Sequence, residues 1–339
     1  MRQDALFMCG ILFTFHFLFV PLSPAMTPLV SFIIPYHNEP EAFLKACVES
    51  IRALPLARDE AEIIVVDDGS KTPTASFCLS GGENVSLPSG RFGGGRYIRQ
   101  EQAGLSVARN TGLSQAQGLY IQFIDADDCL VPSAYKAVLE ELRKGKDDVV
   151  MFKMMASTQP PPREREASGG NSLLWKGRGR LFLQHRNLRA AAWGYAFKRE
   201  ILGDLRFYPG LLHEDELFTP QLFLKAKSLS ELDAKAYFYR QHEGTITHSK
   251  SSEKVQKRLN DIHFIIRELQ SLCNPMLERR VRQLTADYLQ NIWMLTHSLR
   301  ELCRRAKELR EEGLLPLPLC CYSLRYVFVA LLARILAFL

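Results

Sequence analysis

Residues 29–36, LVSFIIPY, and residues 62–68, EIIVVDD, decide the fold that this sequence predicts. Each is a short and nearly continuous run of apolar side chains, which is typical of a strand buried on both faces of a parallel sheet. Similar runs alternate with helix-like segments as far as residue 154, which predicts an α/β fold with a mostly parallel sheet covered by helices. The five predicted strands are Leu29–Ile34, Glu62–Val66, Arg96–Ile98, Leu119–Ile124 and Asp148–Met154.

Three helices are expected between these strands, at Pro40–Ala53, Leu105–Ala116 and Pro132–Lys144. Two of them begin with proline, which suits the first turn of a helix because the N–H that proline lacks has no partner there. Residues 81–95 are rich in glycine and residues 157–171 contain three consecutive prolines. Both stretches are therefore predicted loops.

A polar cluster directly follows each of three predicted strands. In an open parallel sheet, ligands bind outside the carboxyl ends of the strands, so we expect the three clusters to lie together at one edge. Taken alone, each cluster also suits an ordinary turn, since Asp, Asn and Gly favour turns by themselves. The clusters are Pro35-Tyr36-His37-Asn38, Asp67-Asp68-Gly69-Ser70 and Asp125-Ala126-Asp127-Asp128.

The third cluster places the carboxylates of Asp125, Asp127 and Asp128 within four residues. Carboxylates this close repel one another unless they are solvated or neutralised by a cation. Mg²⁺ or Mn²⁺ prefers carboxylate oxygens and shares phosphate oxygens readily. The cluster therefore predicts a divalent metal beside a diphosphate, with an exposed turn as the alternative.

Five segments of the chain resemble, in order and spacing, the motifs of family 2 glycosyltransferases with the GT-A fold. The resemblance spans residues 28–249 and implies a Rossmann-like, mostly parallel sheet in a domain at 28–250, with a nucleotide half (28–135) and an acceptor half (136–250). The five segments are VSFIIPYHN (30–38), IVVDDGS (64–70), GLSVARNTGL (104–113), IQFIDADD (121–128) and HEDELF (213–218).

The resemblance also implies roles for individual residues. Asp68 matches the acidic residue that hydrogen-bonds the nucleobase, with Asp67 beside it, and family members usually have Tyr where this chain has His37. The residues that the resemblance assigns to the nucleotide donor are Pro35, His37, Asn38, Asp67, Asp68, Arg109, Asp125, Asp127 and Arg240, and those assigned to the metal are Asp127, Asp128 and His248. Trp193 and Lys198 resemble the acceptor-side Trp and basic strand of relatives, although a buried Trp is also ordinary core.

Glu214 and Asp215 resemble the family's ED motif, whose Asp is the general base of inverting members. The alternative is structural, because acidic residues favour a helix N-terminus in any protein. The motifs together imply an inverting, metal-dependent enzyme that moves a sugar from a nucleotide-diphosphate donor to a hydroxyl of a glycan or lipid-linked acceptor, in bacterial surface-polysaccharide synthesis.

Other classes of protein remain open alternatives. One is a catalytically inactive relative that binds nucleotide-sugar or glycan as a scaffold. A strand followed by Asp125-x-Asp127 also resembles haloacid-dehalogenase-type phosphatases, but their motif has Thr or Val where Cys129 stands. A sugar-nucleotide pyrophosphorylase would need a Gly-rich, Arg-bearing loop after the first strand, which this sequence lacks.

Composition supports a folded protein in a reducing compartment. The 339 residues are 47% hydrophobic, enough for a substantial core, and the net charge is +6. The eight cysteines include no CxxC, so neither a zinc site nor a disulfide framework is indicated. We expect a cytoplasmic protein at the inner face of the cell membrane, with no nucleic-acid partner.

The two ends of the chain are treated separately from the domain. Residues 1–27 are either an apolar leader or the product of a start site placed too early. Residues 251–312 are a predicted helical appendage, with helices at 260–272 and 276–312. Residues 313–339 are apolar but contain two arginines. This pattern favours a helix that lies in a membrane interface, with contact through residues 314–339, over a helix that crosses the membrane. Packing of this segment on the core is the alternative.

Overall fold

The computed structural model describes residues 27–57, 59–72, 85–86, 94–158, 172–241 and 252–336. The first part of the chain alternates strands and helices, and the five strands and three helices predicted there are all confirmed. Its elements are β1 (Val30–Tyr36), α1 (Glu41–Arg52), β2 (Ala61–Asp68), β3 (Val85–Ser86), β4 (Gly94–Gln100), α2 (Leu105–Gln115), β5 (Tyr120–Phe123), β6 (Cys129–Leu130), α3 (Pro132–Lys144) and β7 (Val149–Ser157).

The remaining elements complete the sheet and form the predicted helical appendage. They are β8 (Leu173–Gly177), α4 (Gly179–His185), β9 (Tyr195–Lys198), α5 (Asp215–Lys225), β10 (Leu229–Arg240), α6 (Ser252–Ser271), α7 (Glu278–Thr296), α8 (Leu299–Glu311) and α9 (Leu324–Leu336). One predicted loop was wrong in part, because β3 and the start of β4 lie within residues 81–95. Strand β3 pairs with Arg96 and Tyr97 of β4. Most of the predicted loop at 157–171 lies outside the described residues.

The sheet is mixed, in the strand order β3-β4-β2-β1-β5-β9-β7-β10-β6, with β8 also pairing with β10. Strands β4, β2, β1 and β5 are parallel neighbours. The antiparallel strand β9 separates them from β7 and β10, which run in the same direction as β5. The carboxyl ends of β1, β2, β4 and β5 therefore meet at one edge, and β10 ends at the same side of the sheet.

Both faces of the sheet are covered, as the continuous apolar strands require. Along β1, Phe32 and Ile34 pack towards α1 and α3, whereas Ile33 packs on the opposite face with α2 and α5; all three are fully buried. Helix α2 approaches β1 closely because Gly112 has no side chain: a Cβ there would lie 2.3 Å from Ile33 Cγ2.

The helical appendage differs from its prediction in one respect. The single helix predicted at 276–312 is two helices, α7 and α8, which meet at His297 in a left-handed conformation (φ 49). The Ser298 hydroxyl accepts the Glu301 N–H and caps α8. This Ser-x-x-Glu sequence is a helix-start signal that the apolar periodicity concealed.

Helix α9 packs on α7 through one face and leaves its other face uncovered in the described structure. Tyr326, Ala330 and Ala333 are buried, whereas Leu324 and Phe328 are 92% and 64% exposed. The alternative that the tail packs on the core is thus correct for one face of the helix. Among the residues described, no helix has both the length and the apolar character needed to cross a membrane.

Candidate active site

The first two polar clusters meet at the carboxyl ends of β1 and β2, as predicted. The backbone N–H of Asn38 donates to Ser70 Oγ (3.0 Å), and the Lys71 N–H donates to Asn38 Oδ1 (2.8 Å). The Nδ1 atom of His37 lies 2.7 Å from the carbonyl oxygen of Asp68. Asn38 adopts a left-handed backbone conformation (φ 61), which asparagine tolerates better than most residues. The two loops therefore form one connected rim.

The carboxylates of Asp67 and Asp68 form the floor beneath this rim. Asp68, 4% exposed, accepts hydrogen bonds from Gln100 Nε2 (2.7 Å) and from the N–H groups of Ala103 (2.8 Å) and Gly104 (2.7 Å). Asp67 is fully buried and accepts the Tyr97 hydroxyl. Asp67 and Asp68 thus hold the loops at the edge in place. Pro35, another residue predicted to contact the donor, is buried in β1. The more accessible side chains predicted to contact the donor here are His37 and Asn38.

In the third cluster, Asp128 differs from the other two carboxylates. It is 0% exposed, and its oxygens accept the Tyr237 hydroxyl (2.7 Å) and the Arg240 backbone N–H (2.8 Å), both from β10. Burial, followed by the nearby Asp125 and Asp127 carboxylates, raises the pKa of Asp128 to about 8. Both oxygens of Asp128 thus anchor the turn to β10. Its role as a metal ligand stays a prediction.

The end of β10 also supports Asp127. Arg240 donates from Nε to the carbonyl oxygen of Asp127 (2.8 Å), and its guanidinium lies 4.5 Å from the centre of the Phe43 ring. The side chain of Asp127 stays half-buried. Arg240 is therefore at the edge where the sequence places it, packed against the turn that carries the acidic cluster. His248, the third predicted metal ligand, lies outside the described residues.

Arg109 joins the acidic cluster to the ED motif. Its Nη2 atom lies 3.1 Å from Asp125 Oδ1, and its Nη1 atom donates to Glu214 Oε1. The guanidinium is 5.7 Å and 5.3 Å from the ring centres of Phe123 and Phe207. The sequence predicts a nucleotide contact for Arg109, but the residue is only 3% exposed and lies beneath the edge. It connects two motifs that are 89 residues apart in the sequence (125 and 214).

Asp215 begins α5, and Glu214 is the residue before the helix. Glu214 is 6% exposed, and its carboxylate forms an ion pair with Arg109, which fixes the start of the motif. Asp215 is half-buried and is therefore the more accessible carboxylate of the two. Burial, followed by the charges of Glu214 and Glu216, raises the pKa of Asp215 well above its ordinary range, and Arg109 opposes the rise. A carboxylate with a raised pKa suits proton removal near neutral pH.

An aromatic cluster beside the acidic turn includes Tyr237, which the sequence motifs do not single out. Trp193 stacks on Tyr237, with ring centres 4.4 Å apart and planes 12° apart, and the Tyr239 ring centre lies 6.0 Å from it. Arg189 lies 5.2 Å from the Trp193 ring centre. The alternation of Tyr237 and Tyr239 along β10 was visible in the sequence, but their partners were not.

Lys198 is not part of this edge. It ends the antiparallel strand β9, and its Nζ atom lies 3.2 Å from Asp148 Oδ1 at the start of β7. Because β9 runs opposite to β5, its last residue lies at the other edge of the sheet, where Lys198 pairs with Tyr120. Lys198 therefore lies away from the acidic turn, which contradicts its predicted acceptor-side place. Trp193, which precedes β9, lies beside the acidic turn, and its acceptor-side role stays a prediction.

The mixed sheet, the loops at its carboxyl edge and the joined acidic motifs define a glycosyltransferase of the GT-A fold. The model for glycosyl transferase family 2 matches residues 31–206, about half of the chain. The chain therefore belongs to glycosyltransferase family 2, as the sequence motifs predict.

Individual proteins resemble the chain in sequence or in fold. The uncharacterized glycosyltransferase EpsJ of Bacillus subtilis is 32% identical over 238 residues, covering 66% of this chain and 64% of EpsJ. The structure of Staphylococcus aureus TarS 1–349 with UDP-GlcNAc superposes with a TM-score of 0.63 at 20% identity and covers 90% of each chain. The mannosyltransferase PcManGT of Pyrobaculum calidifontis, with GDP-Man and Mn²⁺, gives 0.51 at 16% identity, over 91% of this chain and 88% of that one.

Proposed function

We propose that this enzyme transfers a sugar, with inversion and metal assistance, from a nucleotide-diphosphate donor to a hydroxyl of a glycan or lipid-linked acceptor in surface-polysaccharide synthesis. The observation that carries the proposal is the Arg109 guanidinium, which contacts Asp125 of the acidic turn and Glu214 beside Asp215. A donor-binding motif and a base must lie on opposite sides of the same anomeric carbon, and this contact fixes one relative to the other.

The donor side is assigned to the rim and the acidic turn. His37, Asn38 and the loop fixed by Asp68 would surround the nucleobase, and Arg240 would lie beside the diphosphate. TarS with UDP-GlcNAc and PcManGT with GDP-Man provide precedents for such a donor in this fold. These two precedents differ in both the base and the sugar.

The residues present fit a divalent metal. Asp127 and Asp128, with Asp125 beside them, offer hard carboxylate oxygens, as Mg²⁺ or Mn²⁺ prefers. Among the described residues, no group of three or more His, Cys, Asp or Glu side chains is arranged to hold a metal ion by itself. The metal would stabilise negative charge on the departing diphosphate.

Asp215 is assigned as the general base. The acceptor oxygen forms a bond to the anomeric carbon as the bond to the diphosphate oxygen breaks, and the acceptor proton moves to the Asp215 carboxylate. A single displacement of this kind inverts the anomeric centre. Trp193, Tyr239 and Arg189 lie beside the acidic turn, where stacked rings and a cation suit a sugar-containing acceptor.

The exposed face of α9 supports peripheral contact with the inner face of the cell membrane. Leu324, Phe328, Leu331 and Leu332 follow a helical spacing and are 92%, 64%, 49% and 44% exposed. Arg334, also exposed, adds positive charge that complements anionic lipid. In flotation with anionic vesicles, Phe328→Glu should release the protein, while Lys307→Gln at an exposed position on α8, which also lowers the net charge by one, serves as the charge-matched control. Equal flotation of both variants would exclude α9 as the contact.

Transfer and donor binding test the catalytic assignment separately. With Mn²⁺ and a panel of nucleotide sugars, Asp215→Asn should lose transfer while its donor affinity, measured by calorimetry, changes little. Asp127→Ala should weaken donor binding in the presence of metal. Asp204→Asn, an exposed carboxylate outside the site, is the control. An active Asp215→Asn enzyme would remove the assigned base, and donor binding without any turnover by the wild-type protein would favour the scaffold alternative.

A further inference from the structure

The loop that carries the ED motif is bonded to the helical appendage. Asp261 of α6 accepts the backbone N–H of Leu212 (2.8 Å), and Lys257 of the same helix donates to the carbonyl oxygen of Gly210 (2.7 Å). Lys257 and Asp261 also pair with each other at 2.6 Å. The segment just before Glu214 is thus fixed from outside the glycosyltransferase domain.

A second contact comes from α7 and reaches the other side of Asp215. Arg280 is only 7% exposed, and it donates from Nη2 to the Glu216 carboxylate and from Nη1 to the carbonyl oxygen of Leu188 (3.1 Å). Glu216 directly follows Asp215 at the start of α5. The appendage therefore contacts residues on both sides of the assigned base.

The loop between these contacts has a backbone conformation that needs support. His213 has a φ of 62, in the left-handed region that non-glycine residues rarely adopt. Such conformations are unfavourable by themselves and persist only where surrounding contacts fix them. Leu212, bonded to Asp261, and Glu214, bonded to Arg109, flank this residue on either side.

We propose that Arg280 and Asp261 are positioning residues, through which the helical appendage sets the orientation of the Asp215 carboxylate towards the acceptor. The proposal rests on the assigned role of Asp215 as the base. It gives the appendage a part in the chemical step, in addition to its packing against α5.

The test uses the full-length chain and separates the chemical step from binding. Arg280→Met should lower kcat about 10-fold to 100-fold, because a displacement of about 1 Å costs roughly this much, with donor affinity within about 2-fold of wild type. Arg280→Lys, which keeps the charge, should recover part of kcat. Arg304→Met on α8, where both ion pairs are exposed, is the matched control and should leave kcat unchanged.

A double variant distinguishes positioning from stabilisation. Arg280→Met leaves the Glu216 carboxylate without its partner, whereas Arg280→Met/Glu216→Gln leaves no unpaired charge and should recover much of the lost thermal stability. Its kcat should nevertheless stay low, because the connection to α7 is absent. Recovery of kcat together with stability would overturn the proposal.

The same assay separates this proposal from the assignment of the base. If Asp215→Asn is inactive and Arg280→Met retains wild-type kcat, the positioning role is wrong and the base assignment stands. If Asp215→Asn is active, the proposed function itself fails, and the positioning role fails with it.

Discussion

Replacing Arg109 with methionine should destabilise the protein by about 3–4 kcal/mol. Removing one partner of a buried ion pair costs about 3–5 kcal/mol, because the remaining charge is left without compensation. The Glu214 side chain is 8% exposed and cannot be rehydrated in place, whereas that of Asp125 is 29% exposed and can partly turn to water. The lower part of the range therefore applies, and methionine preserves much of the packing against the two Phe rings.

The loss of stability is measured by urea unfolding, monitored through tryptophan fluorescence. A double variant tests the cause of the loss. Arg109→Met/Glu214→Gln removes the charge that the single variant strands, so it should be more stable than Arg109→Met alone. Arg143→Met breaks a pair with Glu60 whose side chains are 39% and 29% exposed, and it should change stability by less than about 1 kcal/mol. If Arg109→Met costs no more than this surface variant, or if the second substitution adds to the loss, the buried connection between the motifs is refuted.

Three further outcomes follow from the same geometry. Because the pKa of Asp215 is raised, kcat should fall with decreasing pH at a higher pH than an ordinary carboxyl requires, and Glu216→Gln should move this limb of the pH–rate profile to lower pH; an unchanged limb would contradict the assignment. Tyr237→Phe should lower the free energy of unfolding in urea by about 1–3 kcal/mol, because it removes the hydrogen bond to a buried Asp128 oxygen. An unchanged free energy of unfolding would show that this hydrogen bond does not stabilise the protein. Gly112→Ala should cost about 1–3 kcal/mol by overpacking β1, and a stabilised variant would show that α2 can retreat.

The part of the chain from β1 to α3 was predictable because its signals are local. Strands β1, β2 and β5 are continuous apolar runs, and each polar cluster follows its strand directly, so topology alone brings the clusters to one edge. The helix starts at α1 and α3 were equally local, since proline identified both. Where the signal was weaker, as at β3 in the glycine-rich stretch, the prediction failed.

The structural role of each site residue was less predictable, because this role depends on contacts between segments that are distant in the sequence. The sequence groups Asp125, Asp127 and Asp128 as equivalent carboxylates, yet both carboxylate oxygens of Asp128 accept hydrogen bonds from β10, more than 100 residues later. Likewise, nothing local distinguishes a basic residue at the surface from Arg109, whose burial depends on Glu214. Lys198 was misplaced because the antiparallel direction of β9 is a property of the whole sheet.

The antiparallel strand also explains how the two halves form one site. Strands β1, β2 and β5 end at the edge that carries the donor motifs, and β9 then runs back to the opposite edge. After β9 the chain reaches the first edge again at the start of α5 and at the end of β10, and these two segments contribute side chains there. Each return is fixed to the acidic turn by a buried polar contact: α5 through Arg109, and β10 through Asp128. The distance between the proposed donor site and the proposed base therefore depends on these two side-chain connections across the sheet edge, so substitutions there should affect transfer more than donor binding.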